Sequence, residues 1–279
     1  MLAKAKINLC LEVLGKRADG YHEVATVLHT IGLGDELTVV RSGELRLDCQ
    51  PEVSPPEDNL ALRAAKLLQE MAGCRMGAAI TLRKRVPAAA GLGGGSSDAA
   101  TTLMALNDLW GLGLHKARLA ELAARLGADV PFFLQGGCAL AEGMGELLTP
   151  LPALHGWWAV LLCPPLEVQG KTGRLYGMLS AQDFSDGSAT RRLAEQMRSG
   201  HAGLSDIARV GNAFERVANR AFPGLANYRN AFEQAGAPFV RLSGSGPALF
   251  TLVGVAEEGS VLAERLRSEG YHVYLAALV

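Results

Sequence analysis

The absences in this 279-residue chain narrow its chemistry before any motif does. Its 27 Lys and Arg nearly cancel its 28 Asp and Glu, for a formal net charge of -1. Both signs are mixed along the chain, so no basic stripe marks a nucleic-acid or anionic-membrane surface. Cysteine is scarce: Cys10, Cys49, Cys74, Cys138 and Cys163 include no Cys-x-x-Cys pair and have no histidine cluster beside them. Such usage predicts reduced, mostly buried thiols in a cytoplasmic protein and no dedicated metal site. No run approaches the about 20 apolar residues of a membrane span. The opening "MLAKAKINLC" places Lys4 and Lys6 where a secretory leader is apolar. What remains is a chain with 49% hydrophobic residues, enough for one large or two modest domains around a small soluble ligand.

Residues 5–14 alternate, with Ile7, Leu9, Leu11 and Val13 on one side and Lys6, Asn8, Cys10 and Glu12 on the other. That period predicts a half-buried strand with a polar face. Strands follow at "ELTVV", "ELRLDC" and "AAITLRKRV", and a helix opens near Asp58. Two more helices are predicted to end at Gly111 and Gly127. The segment "TPLPALHG", 149–156, interrupts regular structure and suggests a boundary between domains 1–152 and 153–279. Beyond it, the strand "WWAVLLC", a helical region near 190–235, strands "FVRLS" and "ALFTLV", a helix and the strand "YHVYLAAL" follow the split βαβ order of ferredoxin-like folds. Residues 165–210 carry no clear period.

The densest signal is "PAAAGLGGGSSDAA", residues 87–100. It fits neither the Rossmann spacing, where position 96 would be glycine rather than Ser96, nor a Walker A loop. A glycine run that enters a helix nevertheless bares backbone N–H groups and points the positive end of the helix dipole at one spot, which suits a polyphosphate. The spacing predicts a helix starting at Ser96 or Ser97. One serine would cap it, or both hydroxyls would contact phosphate or Mg²⁺.

This stretch resembles the second motif of the GHMP kinase superfamily, and three more segments agree in order: "AKINLCLEV" with "DGYHEV", "LGADVPFFL" at 126–134, and "RLSGSGPALF" at 241–250. The resemblance extends to one branch whose acceptor is a cytidine diphosphate-linked methylerythritol. It implies an α+β, two-domain fold, with an N-terminal domain like ribosomal protein S5 domain 2 and a ferredoxin-like C-terminal domain. It also implies transfer of phosphate from MgATP to the acceptor's 2-hydroxyl, in a monomer or weak homodimer that binds neither nucleic acid nor membrane. Alternatives are a homoserine- or mevalonate-type kinase, or a non-catalytic nucleotide-binding protein on the same fold. The pair Tyr21 and His22 suits a nucleobase, and a proton acceptor is superfluous in a mere binding module.

Residue roles follow from the same resemblance. Asp129 would accept the hydroxyl proton; by its place between Gly127 and Pro131 alone it reads first as a helix N-cap, and the resemblance reverses that preference. Lys6 would stabilise developing charge; strand alternation alone cannot separate it from Lys4, which shares its face. ATP would lie on Pro87, Ala88, Ala89, Ala90, Gly91, Leu92, Gly93, Gly94, Gly95, Ser96, Ser97 and Asp98. Asn59 and Lys84 would approach adenine and ribose; by themselves they read as a helix cap and a solvated lysine. The acceptor would meet Asn8, Tyr21, His22, Thr172, Tyr176, Ser243 and Gly244, the last two in a turn that also reads as a tight hairpin. Three departures from the family pattern stand out: Lys4 replaces a common proline, Ala89 a common glycine, and "VQGKTGRLY" has two extra residues before Thr172.

Overall fold

A computed structural model of the chain describes residues 1–73 and 76–279. Cys74, expected to be a reduced thiol, lies outside the described residues. The chain begins with strands β1 (Leu2–Lys16), β2 (His22–Ser42) and β3 (Leu45–Gln50), then helix α1 (Leu60–Ala72) and strand β4 (Gly77–Arg83). Helices α2 (Gly94–Trp110), α3 (Lys116–Leu126) and α4 (Val130–Gln135) lead to strands β5 (Cys138–Gly143), β6 (Leu147–Leu151) and β7 (Trp158–Leu162). Five helices come next: α5 (Lys171–Met178), α6 (Ser188–Arg198), α7 (Leu204–Arg209), α8 (Glu215–Ala221) and α9 (Leu225–Gln234). Strands β8 (Arg241–Leu242) and β9 (Leu249–Val253), helix α10 (Ala256–Ser268) and strand β10 (Val273–Ala277) complete it.

The chain forms two compact units that do not follow sequence order. The first contains Met1–Ala5, Gly34–Ala88 and Gly93–Gly136. In it, β4 pairs antiparallel with the second half of β2, from Glu36↔Arg83 to Ser42↔Gly77, and parallel with β3. A parallel neighbour requires a crossover, and α1 supplies it. Asn59 caps α1 by accepting a hydrogen bond from the Ala61 N–H at 3.0 Å, so its side chain has the capping role. Helix α2 is buried nearly all round, which explains its weak polar face: Ala99, Leu103, Leu106 and Trp110 are buried, and so are Ser97, Asp98, Thr101 and Asn107.

The second unit contains Lys6–Leu33, Ala89–Leu92 and Gly137–Val279, residues from both sides of position 152. The first half of β2 pairs antiparallel with β5, from Val24↔Gly143 to His29↔Cys138, and β6 continues as an edge strand that tolerates Pro150. The other sheet has the strand order β10-β7-β9-β8, all antiparallel, the order expected of a ferredoxin-like split βαβ. Phe214, Phe222, Phe232, Leu162 and Leu266 fill one core over it. The stretch 165–210, which carries no long period, contains three helices of 8, 11 and 6 residues, two of them too short to show one.

Two local expectations change. Strand β1 has no solvated face: Lys6, Asn8 and Cys10 are buried along with Ile7 and Leu9, while Lys4 is exposed. Helix α2 begins at Gly94, not at Ser96 or Ser97; its N-cap is Gly93 at φ +71°, with no side-chain cap. Among the described residues no helix is long and apolar enough to cross a membrane.

Candidate active site

In the second unit, β1 places Lys6 and Asn8 two residues apart on one face. The Lys6 side chain is only part of a residue 3% exposed, and burying an ammonium demands hydrogen-bond acceptors. Its Nζ donates to Asn8 Oδ1 at 2.5 Å and to the Gly91 carbonyl at 3.0 Å. Asn8 in turn donates from Nδ2 to Thr26 Oγ1 at 2.8 Å, and Thr26 donates to the Cys10 carbonyl at 2.6 Å, so the amide is oriented with its oxygen toward the lysine. Of the two lysines that alternation places on one face, Lys6 is the buried one and Lys4 the exposed one.

The Gly91 carbonyl also accepts from Ser243 Oγ at 3.0 Å, and Ala248 donates its N–H to the Ala90 carbonyl at 3.0 Å. Gly91 has φ +86°, and a Cβ there would lie 2.1 Å from the Ser243 carbonyl oxygen, so neither conformation nor space admits another residue. Ala89 takes φ +50°, the left-handed conformation its usual glycine would adopt freely. The turn after β8 is indeed a hairpin, with Leu242↔Leu249 as its last pair. Asn212, which no motif singles out, holds it by donating Nδ2 to the Leu242 and Gly244 carbonyls at 2.9 and 2.8 Å.

Near the start of α5, Thr172 Oγ1 lies 2.9 Å from Ser245 Oγ on this turn, and the Lys171 ammonium donates to the Gly246 carbonyl. Tyr176, one helical turn beyond Thr172, stacks on His22 with centroids 4.5 Å apart and planes 14° from parallel. Both Thr172 and Tyr176 therefore join the other second-unit residues despite the two extra residues before them. Burial and the nearby Lys16 lower the pKa of His22, favouring a neutral ring. Tyr21 is exposed beside this pair in sequence. The ring spacing is that of direct contact, so a base would extend the His22–Tyr176 stack rather than lie within it.

In the first unit, the first turn of α2 presents Gly94, Gly95, Ser96 and Ser97. Its leading N–H groups have no intrahelical acceptor and no capping side chain, an arrangement that suits an anion. Pro87 and Ala88 precede it on the same unit. Lys84 is not a solvated lysine: its side chain is 6% exposed and its Nζ lies between the carboxylates of Asp35 and Asp98, 2.5 Å from the latter. Asp35 also accepts the N–H groups of Arg85 and Val86, at 2.5 and 2.8 Å. Burial alone would lower the Lys84 pKa, but the two carboxylates outweigh it and raise it. Burial lifts Asp98 to about 7, against the pull of Lys84, and its Oδ1 has no hydrogen-bond partner among the described residues. Asp35 was missed in the sequence because a lone Asp in "GLGDEL" has no motif around it. Asp129 precedes α4 at its N-cap position, yet its side chain makes no capping hydrogen bond. The capping role that position suggested is therefore not what the carboxylate does.

Comparison with known proteins is consistent across sequence and structure. Residues 59–137 match the GHMP kinases N terminal domain and residues 189–272 the GHMP kinases C terminal model. A 4-diphosphocytidyl-2-C-methyl-D-erythritol kinase of Dehalococcoides mccartyi is 41% identical over 99% of this chain and 97% of its own length. One of Geobacillus kaustophilus is 43% identical over 90% and 87%. The crystal structure of a 4-(cytidine 5'-diphospho)-2C-methyl-D-erythritol kinase superposes with a TM-score of 0.83 at 38% identity, over 100% of this chain and 98% of the other. A homoserine kinase from Cytophaga hutchinsonii shares the fold at a TM-score of 0.73 and 20% identity. The chain belongs to the GHMP kinases and, within them, to the family of 4-diphosphocytidyl-2-C-methyl-D-erythritol kinases.

Proposed function

We propose that the chain transfers the γ-phosphoryl group of ATP to the 2-hydroxyl of 4-diphosphocytidyl-2-C-methyl-D-erythritol, in the cytoplasmic non-mevalonate route to isoprenoids. The observation that carries this reading is Lys6, buried on β1 with its ammonium hydrogen-bonded to the glycine loop at Gly91, in a chain so similar to kinases of that name. In the reaction the acceptor oxygen attacks the γ-phosphorus, its proton passes to Asp129, and the bond to the β-phosphate oxygen breaks to release ADP. Lys6 stabilises negative charge as the hydroxyl attacks. The triphosphate takes the bare N–H groups at the start of α2, and Ser96 and Ser97 offer hydroxyls to it or to Mg²⁺, whose charge neutralises the phosphates. Asn59 and Lys84 are already engaged as a cap and an ion-pair partner. That favours a role in shaping the nucleotide site over direct contact through their side-chain charges. On this reading the evolutionary domains divide at 152/153.

The test is ADP release from purified chain and MgATP with the cytidine compound, homoserine and mevalonate in parallel. Turnover is expected with the cytidine compound alone; turnover with homoserine instead overturns the acceptor. Asp129→Asn and Lys6→Ala are expected to fold and to lose at least about 100-fold in kcat. A folded Asp129→Asn with near-normal kcat removes the proton acceptor from the scheme.

A further inference from the structure

Lys171 is the one cation at the second-unit turn that the motifs do not foresee. It opens α5, is half-buried, and its ammonium rests on the Gly246 carbonyl. Lys6 lies close enough to repel it. A Cβ on Gly244 would stand 3.1 Å from the Lys6 Nζ, so the same turn that carries Lys171 also touches Lys6. No carboxylate of the described residues pairs with Lys171. Burial and Lys6 together pull it down to about 7, the reverse of Lys84. A half-buried ammonium whose partner is a carbonyl and not a carboxylate, beside the hydroxyls of Thr172 and Ser245 2.9 Å apart, is a costly arrangement unless an anion arrives.

The register of α5 says which anion. Thr172 and Tyr176 are one helical turn apart, about 6 Å along the axis, and so share a stripe. One end of that stripe stacks on His22, where a base would be read; the other touches the Gly244–Gly246 turn. A nucleotide lying along the stripe with its base at Tyr176 carries its phosphates toward the lysine end. We propose that Lys171 binds the diphosphate of the cytidine diphosphate-linked acceptor and so sets acceptor affinity. This rests on the acceptor named under the proposed function.

The experiment titrates the full chain with cytidine diphosphate and with cytidine, by calorimetry at pH 7. The unaltered chain is expected to bind the diphosphate at least about tenfold more tightly than the nucleoside. Lys171→Met, and Lys171→Gln as a second neutral variant, should lose that preference while keeping their affinity for cytidine, and Lys171→Arg should retain it. In turnover, the neutral variants should raise the acceptor KM at least about tenfold with the ATP KM unchanged. A neutral variant that keeps the diphosphate preference, or one that raises the ATP KM instead, overturns the proposal and leaves the kinase reading standing. So does an unaltered chain that binds cytidine as tightly as its diphosphate. An unaltered chain that binds neither overturns the acceptor reading, and the role of Lys171 with it.

Discussion

Lys84 in the first unit and Lys171 in the second are both lysines taken out of water, and their surroundings are opposite. Lys84 is clasped by Asp35 and Asp98, and its charge is held above lysine's ordinary pKa. Lys171 meets a carbonyl and a second lysine, and its charge is held far below. A buried cation with two carboxylates is complete within the fold; one that meets a carbonyl and no carboxylate is complete only when something negative binds. The same residue type thus serves as a structural brace in one place and as a waiting contact in the other. An altered pKa in a lysine indicates function only when its neighbours leave the charge uncompensated.

Removing each charge should separate the two sharply. Lys84→Met strands two buried carboxylates and should cost about 3–5 kcal/mol by urea unfolding, moderated by proton uptake at Asp98. An equally stable Lys84→Met would break the comparison. Gly91→Ala tests the turn on which Lys171 rests: with φ +86° and the Ser243 carbonyl in the way, it should lose about 1–3 kcal/mol and most activity. Gly173→Ala in α5, where a Cβ meets nothing within 4 Å, is the control and should gain about 0.5–1 kcal/mol. Lys171→Met should be at least as stable as the unaltered chain at pH 7, since it removes a half-buried ammonium that has no carboxylate partner.

A last comparison is in the pH dependence. A lysine whose folded value is near 7 binds fewer protons folded than unfolded between about 7 and its ordinary value of 10.5. Its penalty is therefore full below 7 and is relieved as pH rises through that window. Melting curves from pH 7 to 9.5 should show the unaltered chain gaining stability relative to Lys171→Met. Parallel curves would mean that Lys171 is not held at a low value.

Much of this was legible because it is local. The glycine run before α2, the polar alternation of β1 and the strand order after residue 157 each depend on neighbours a few residues apart, and each element formed. Local signs also misled where burial depends on the rest of the chain. Polar residues every second position indicate a wet face, yet Lys6, Asn8 and Cys10 are covered. Two serines beside glycines suggest a cap, yet Gly93 reaches the left-handed conformation and starts the helix earlier.

By itself, the sequence determined the glycine-rich entry to α2, the ferredoxin-like order of the second half and the family to which the chain belongs. Those properties are written in short-range periodicity and in residues with special backbone freedom. Only the tertiary structure decided that Lys6 and not Lys4 is buried against Gly91, that Asp35 and Asp98 converge on Lys84, and that Lys171 meets a turn 75 residues away. A charge acquires its meaning from partners brought to it by folding, and no spacing along the chain records which partners those will be.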